Sequence, residues 1–226
     1  SLKTVISTLS DSDKISIITF NGKAKKIASG VSLTQEGKEK IFKIIDDIDP
    51  NGSTNLWDGL NKGIDEAINQ QNKRTNTSLL VFTDGQPNVH PPNGLIPTLK
   101  KKLSKHKSLF SISTFGYGYN IDADLIKEIS EIGNGIYGYI PDASMVGTIF
   151  INYISNLASI ISPLVSLKVK LNDKKSKKFH VVLYNGAPTH VMISLNEDDN
   201  PEEAQIEMNL TLTNEKVPIQ KISPLD

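Results

Sequence analysis

Two short polar stretches are the places in this chain where side chains could do chemistry. Ser53-Thr54-Asn55 stands directly before an apolar helix-period segment, and Asp84-Gly85-Gln86-Pro87-Asn88 abruptly ends the apolar run Ser78-Leu79-Leu80-Val81-Phe82-Thr83. Taken alone, Thr54 reads as a helix N-cap and Asp84 as a turn former ahead of Gly85. A sudden polar end to a buried strand also reads as a functional loop. Other candidates carry less. Gly116-Tyr117-Gly118 follows a strand, but Asn120-Ile121 occupies the place of the third glycine of a dinucleotide loop. Lys100, Lys101, Lys102, Lys105 and Lys107 read as a solvated helix face, or as a surface for acidic partners. Trp57 reads as rim or core, and Asp58 as a first-turn charge that suits the helix dipole. The four histidines are scattered and neither His-Glu-x-x-His nor Gly-x-Ser-x-Gly occurs, so no residue is nominated as catalytic and the chain reads as a non-enzyme.

The elements that must position these stretches follow from periodicity. Leu2, Val5, Ile6 and Leu9 fall at helical spacing, and Ile15 to Phe20 is a buried-strand run. Lys25 to Ser29 is a weaker, polar strand suited to an edge. Gln35 to Ile48 carries Ile41, Ile44, Ile45 and Ile48 on one helical face and stops at Asp49-Pro50-Asn51-Gly52. The next helix runs from Ser53-Thr54-Asn55 to about Gln70 with Leu56, Leu60, Ile64, Ala67 and Ile68 inward. Further along come a helix Leu95 to His106, a strand Leu109 to Phe115, a helix Ala123 to Ile132, a strand Ile136 to Ile140 and a helix Ser144 to Ile160. After Ser162-Pro163 the period becomes two, over Val165 to Leu171, Phe179 to Tyr184, His190 to Leu195 and Ile206 to Leu212. The fold class is therefore α/β, a doubly wound, mostly parallel sheet flanked by helices over residues 1–160, followed by a small antiparallel β unit over residues 161–226.

Three stretches in order carry a family resemblance: Leu9 through Phe20, then Gly52-Ser53-Thr54-Asn55-Leu56-Trp57-Asp58-Gly59-Leu60, then Leu80-Val81-Phe82-Thr83-Asp84-Gly85. With Thr114-Phe115-Gly116-Tyr117-Gly118 and Gly135 through Asp142 behind them, they resemble the von Willebrand factor A domain, in its intracellular-type form with a β-rich region after the domain. The resemblance implies a ligand site at the carboxyl ends of the strands. It also implies a Mg²⁺ held by three loops, with Thr54 and Asp84 standing at two of the metal-binding positions. A hard divalent cation takes a few oxygen ligands and keeps waters, one of which a partner's Glu or Asp can replace. The family's first loop, Asp-x-Ser-x-Ser after an apolar strand, is absent here; Ser10-Asp11-Ser12-Asp13 precedes its strand and has another spacing. The strand belonging to that loop is central in the family's sheet. Residues 1–160 are therefore expected to leave a gap between the strands at Ile15 and Leu79, filled by an upstream segment or another chain.

Composition narrows the function. The 226 residues carry Lys+Arg 25 against Asp+Glu 25, so no basic excess points to nucleic acid. Cys 0 removes disulfides, thiolate metal sites and cysteine nucleophiles, and favours a reducing, cytoplasmic setting. No apolar run is long enough to span a membrane. Two functions remain: an interaction module that reads a partner's acidic side chain through Mg²⁺ at Thr54 and Asp84, or an assembly scaffold with no functional metal and its sheet completed from elsewhere.

Overall fold

In the computed structural model the chain runs α1 (Leu2–Thr8), β1 (Lys14–Phe20), β2 (Ala24–Ser32), α2 (Gln35–Asp46), α3 (Leu56–Gln70), β3 (Thr77–Thr83), α4 (Leu95–Ser104), β4 (Phe110–Tyr117), α5 (Ala123–Ile132), β5 (Asn134–Ile140), α6 (Ala143–Ala158), β6 (Ile160–Asn172), β7 (Lys175–Tyr184) and β8 (Gln205–Leu210). The structure describes residues 2–49, 52–71, 76–105, 110–172, 175–185, 191 and 205–210. The chain divides into two units, residues 1–71 with 77–155, and residues 72–76 with 156–226.

The centre of the first unit is a parallel sheet in the order β3-β4-β5, in which Val81 lies beside Thr114 and Phe115 beside Gly138. Parallel strands are covered on both faces, which is why β3 and β4 read as apolar runs rather than alternations. Against one face, α3, α4 and α5 place Leu56, Leu60, Ile64, Leu95, Leu99, Ile126 and Ile129 on Val81, Phe110 and Ile112. On the other, Phe82 and Phe115 stack with centroids 5.2 Å apart, and Phe150 of α6 sits 4.9 Å from Phe82. The buried Tyr153 of α6 is hydrogen-bonded to Ser113 at 3.0 Å, so its hydroxyl is not left unpaired.

The antiparallel pair β1-β2 forms a separate sheet. One of its faces, with Ile15, Ile17, Ala28 and Val31, packs with Ile6 of α1, Leu33 and Ile41 of α2. The other turns to α3. Gly59 of α3 has no room for a Cβ because Phe20 of β1 would lie 2.7 Å from it, and Gly63 is closed off by Leu79 of β3 at 2.8 Å. One helix therefore rests on a strand from each sheet. Among the described residues no ladder joins β1 to β3, and the break falls where the sequence analysis places an absent central strand.

The second unit is an antiparallel sheet in the order β7-β6-β8. The two-residue period places Val165, Leu167 and Val169 beside Leu210, Met208 and Ile206. Val165 and Val169 are buried. The sequence reading ends the preceding helix at Ile160 and turns at Ser162-Pro163. Instead, α6 stops at Ala158 and β6 runs through Pro163. A proline survives there because the register to β7 slips between Ser162 and Val165, so no ladder donor is required of it. The expected strand over His190 to Leu195 lies outside the described residues, Val191 excepted, as do His106 and Leu109. No described helix is long and apolar enough to cross a membrane.

Candidate functional site

Three loops meet at the carboxyl ends of β1 and β3 and the amino end of α3. The first is Asn21-Gly22-Lys23, the second leads through Ser53-Thr54-Asn55 into α3, and the third is Asp84 to Asn88. Helix α3 starts where it does because Asn55 caps it: the Asn55 amide oxygen accepts from the Asp58 N–H at 3.0 Å. Of the three candidate caps Ser53, Thr54 and Asn55, the third is used, so the reading of Thr54 as a mere N-cap falls away. The cap lies one residue later, and among the described residues no hydrogen bond occupies the Thr54 hydroxyl. Asn55 also ties the first two loops together, donating its N–H to the Asn21 carbonyl at 2.7 Å and its side-chain amide to the Gly22 carbonyl at 3.1 Å. Asp58 does more than favour the helix dipole, since its carboxylate accepts from the Ala24 N–H at 2.6 Å. Trp57 packs at the edge of the main core.

The second and third loops are joined by a reciprocal pair. The Thr54 N–H donates to the Asn88 side-chain oxygen at 3.0 Å, and the Asn88 N–H donates to the Thr54 carbonyl at 3.2 Å. This holds the Thr54 hydroxyl against Gly85, where a Cβ would sit 3.3 Å from Oγ1. The two sequence-nominated residues thus stand on loops in direct contact. Asp84 is exposed, and among the described residues no hydrogen bond or ion pair engages its carboxylate. A hydroxyl and a carboxylate left uncommitted on clamped loops are the oxygen donors that a hard cation takes. Among the described residues no three of His, Cys, Asp and Glu converge, so a purely carboxylate or imidazole metal centre is not what these loops build. Replacing Asn88 with Ala removes one of the two clamp bonds; a stability loss of about 1 kcal/mol is expected in urea unfolding.

Of the lysine run, Lys102 is not a solvated charge. Its ammonium bonds the Asn61 side chain at 2.6 Å and Asp65 at 2.5 Å, and Lys100 reaches Glu128 at 3.5 Å. Lys101 and Lys105 are exposed, as expected.

The sequence reading passed over Asn88, whose only signal was a Pro-Asn turn, and passed over Glu66. Glu66 is 5% exposed on α3 and accepts from Ser16 at 2.8 Å, Ser29 at 2.7 Å, Gln70 at 3.1 Å and Lys26 at 2.8 Å. Burial opposes its ionisation, but hydrogen bonds from Lys26, Ser29, Ser16 and Gln70 outweigh that and bring its pKa down to about 2. A bulge supplies two of these donors: between the pairs Ile15–Val31 and Ile17–Ala28, Ser16 faces both Ser29 and Gly30. Gly30 takes φ 56°, and its N–H donates to Ser16 Oγ at 2.8 Å. Glu66 thus fastens the β1-β2 hairpin, and with it the Asn21 loop, to the helix whose start carries Thr54.

The chain belongs to the von Willebrand factor type A domain family, whose model matches residues 1–139. It is 25% identical over 233 residues to the uncharacterised protein YfbK of Escherichia coli (strain K12), covering 98% of this chain and 39% of that protein. It is 24% identical over 237 residues to inter-alpha-trypsin inhibitor heavy chain H2 of Mesocricetus auratus, covering 100% of this chain and 24% of that one. The chain therefore spans well under half the length of these relatives. Among solved structures, a von Willebrand factor type A protein from Catenulispora acidiphila superposes with TM-score 0.67 at 15% identity, over 76% of this chain and 40% of the other. Proximal thread matrix protein 1 from the mussel byssus, in a form with a zinc-occupied MIDAS motif, superposes with TM-score 0.55 at 19% identity, over 70% and 38%. Both share the fold, a parallel sheet flanked by helices. Domains of this family are generally interaction and adhesion modules.

Proposed function

We propose that this chain is a protein-recognition module whose top face reads a Glu or Asp of a partner through a Mg²⁺ held by Asp84 and Thr54. The observation that carries the reading is the release of Thr54: Asn55 takes over the capping, and Asn88 fixes the freed hydroxyl beside the Asp84 loop. Asp84 supplies the charge and Thr54 a neutral oxygen. Asn21, Asn55 and Asn88 hold the loops so that little ordering is left to the moment of binding. The bound ion would supply an open coordination position for the partner's carboxylate. Proximal thread matrix protein 1, with its zinc-occupied motif, is a precedent for metal on this fold. Mg²⁺ is expected to raise the melting temperature of the chain, in differential scanning calorimetry, in a manner that Asp84→Ala removes. An unchanged melting temperature at millimolar Mg²⁺ would count against the reading.

A second reading, an assembly scaffold, draws on the break between β1 and β3. Among the described residues each of these strands is paired on one side, and α3 bridges them. A strand placed between them, from an upstream segment or another chain, would satisfy both open edges. The two readings differ in what metal does, and Asp84→Ala separates them.

A further inference from the structure

Among the described residues, strand β5 is the outer strand of the parallel sheet, paired to β4 alone. Its sequence, Asn134-Gly135-Ile136-Tyr137-Gly138-Tyr139-Ile140, holds no charge and no proline, the devices that ordinarily keep an edge strand from pairing with another chain. The Ile140 carbonyl accepts from the Gly118 N–H at 2.9 Å and the Ile136 N–H donates to Ser113 Oγ at 3.1 Å, so these residues turn their main chain toward β4. Tyr137 and Tyr139, out of phase with them, turn theirs to the open edge.

The same stretch carries exposed aromatic surface. Tyr119, just beyond β4, is 88% exposed and meets Tyr139, 39% exposed, edge to face with centroids 6.4 Å apart. Acidic residues follow Tyr119 in sequence. Asp122 and Asp124 are exposed at the start of α5, and Asp124 and Tyr139 both act on Tyr137, whose hydroxyl is pushed up first of all by burial. Lys127, the described cation nearest in sequence, is paired with Glu131 at 3.9 Å.

We propose that the β5 edge takes an extended segment of a partner protein by strand addition, with a Lys or Arg of that segment lying over the Tyr119–Tyr139 pair beside Asp122 and Asp124. Main-chain bonding to Tyr137 and Tyr139 would supply the affinity of such a complex, and the alternate side chains its selectivity. A cation over a tyrosine face with carboxylates at its flank is favoured twice, by the ring quadrupole and by charge. The surface uses neither Thr54 nor Asp84 and stands whatever metal does.

The test is a titration of the full chain, followed by amide NMR, with an acetylated and amidated peptide of alternating valine and lysine. Its valine–glutamate counterpart and a version N-methylated on one edge serve as controls. The lysine peptide is expected to shift the Tyr137 and Tyr139 amides, the glutamate and N-methylated peptides to bind at least tenfold more weakly, and Tyr119→Ala to weaken the lysine peptide about threefold. Tyr119 is so exposed that its removal leaves the fold intact. Equal binding of lysine and glutamate peptides, shifts confined to other strands, or no effect of Tyr119→Ala would overturn the proposal. So would concentration-dependent dimerisation that moves the same amides without peptide, which would make a second copy the occupant.

Discussion

Glu66→Ala is expected to lower the stability of the first unit by about 3 kcal/mol, the largest loss from any single polar side chain in it. The substitution removes four hydrogen bonds to an ionised carboxylate; the half-buried Ser16 hydroxyl loses its acceptor at a cost of about 1–3 kcal/mol, while the exposed Ser29 can turn to water. The loss is held down at Lys26, whose side chain is 46% exposed and can return its charge to water. Glu66→Gln keeps the shape and part of the hydrogen bonding and should fall between. The same network fixes a pH dependence. The carboxyl titrates near 2 in the folded chain against a reference value of 4.5, so its contribution is complete above about pH 4.5 and is lost as pH falls toward 2. At about 1.4 kcal/mol per unit that amounts to roughly 3 kcal/mol. Urea unfolding of wild type and Glu66→Gln between pH 7 and pH 3 checks it through the difference between the two, since other carboxyls titrate in both. Their stability gap should narrow on acidification; a constant gap would show that Glu66 is not held ionised by these donors.

Asp84→Ala is expected to leave stability without divalent ions within about 0.5 kcal/mol of wild type, because the residue is exposed and, among the described residues, its carboxylate makes no hydrogen bond or ion pair. With Mg²⁺ the two proteins should diverge. An ion at a hundred times its dissociation constant stabilises a folded chain by about 2.7 kcal/mol, and Asp84→Ala should forfeit nearly all of that. Thr54→Val, which keeps the volume and removes the oxygen, should forfeit a smaller part, since a water can take the place of a neutral ligand. A Mg²⁺ response that survives Asp84→Ala would move the ion elsewhere.

Much of the fold was legible because its periodicities are clean. Continuous apolar runs gave β3 and β4, the spacing of Leu56, Leu60 and Ile64 gave α3, and the two-residue period gave β6 with β8. Legibility failed where a residue's use depends on a partner distant in sequence. Gly59, Gly63, Glu66 and Gln70 form one stripe of α3 that reads as a polar, solvent-facing side. In the fold its glycines let Phe20 and Leu79 approach, and its Glu66 is buried by a hairpin some 40 residues upstream. Thr54 and Asp84 were legible as candidates from their places at element ends and from family resemblance. What could not be read was the choice of cap. Ser53, Thr54 and Asn55 are all good N-caps, and tertiary bonds from Asn55 to Asn21 and Gly22 select the third of them. Asn88 was hidden because its partner is a main-chain N–H, which sequence does not mark.

The most direct test of metal binding at these loops is paramagnetic broadening of amide resonances by Mn²⁺ on the full chain. Micromolar Mn²⁺ should broaden the amides of Thr54, Asp84, Gly85 and Asn88 before any others, with competition by Mg²⁺ and loss of the effect in Asp84→Ala. Broadening that spares these four amides, or that persists unchanged in Asp84→Ala, would contradict the account.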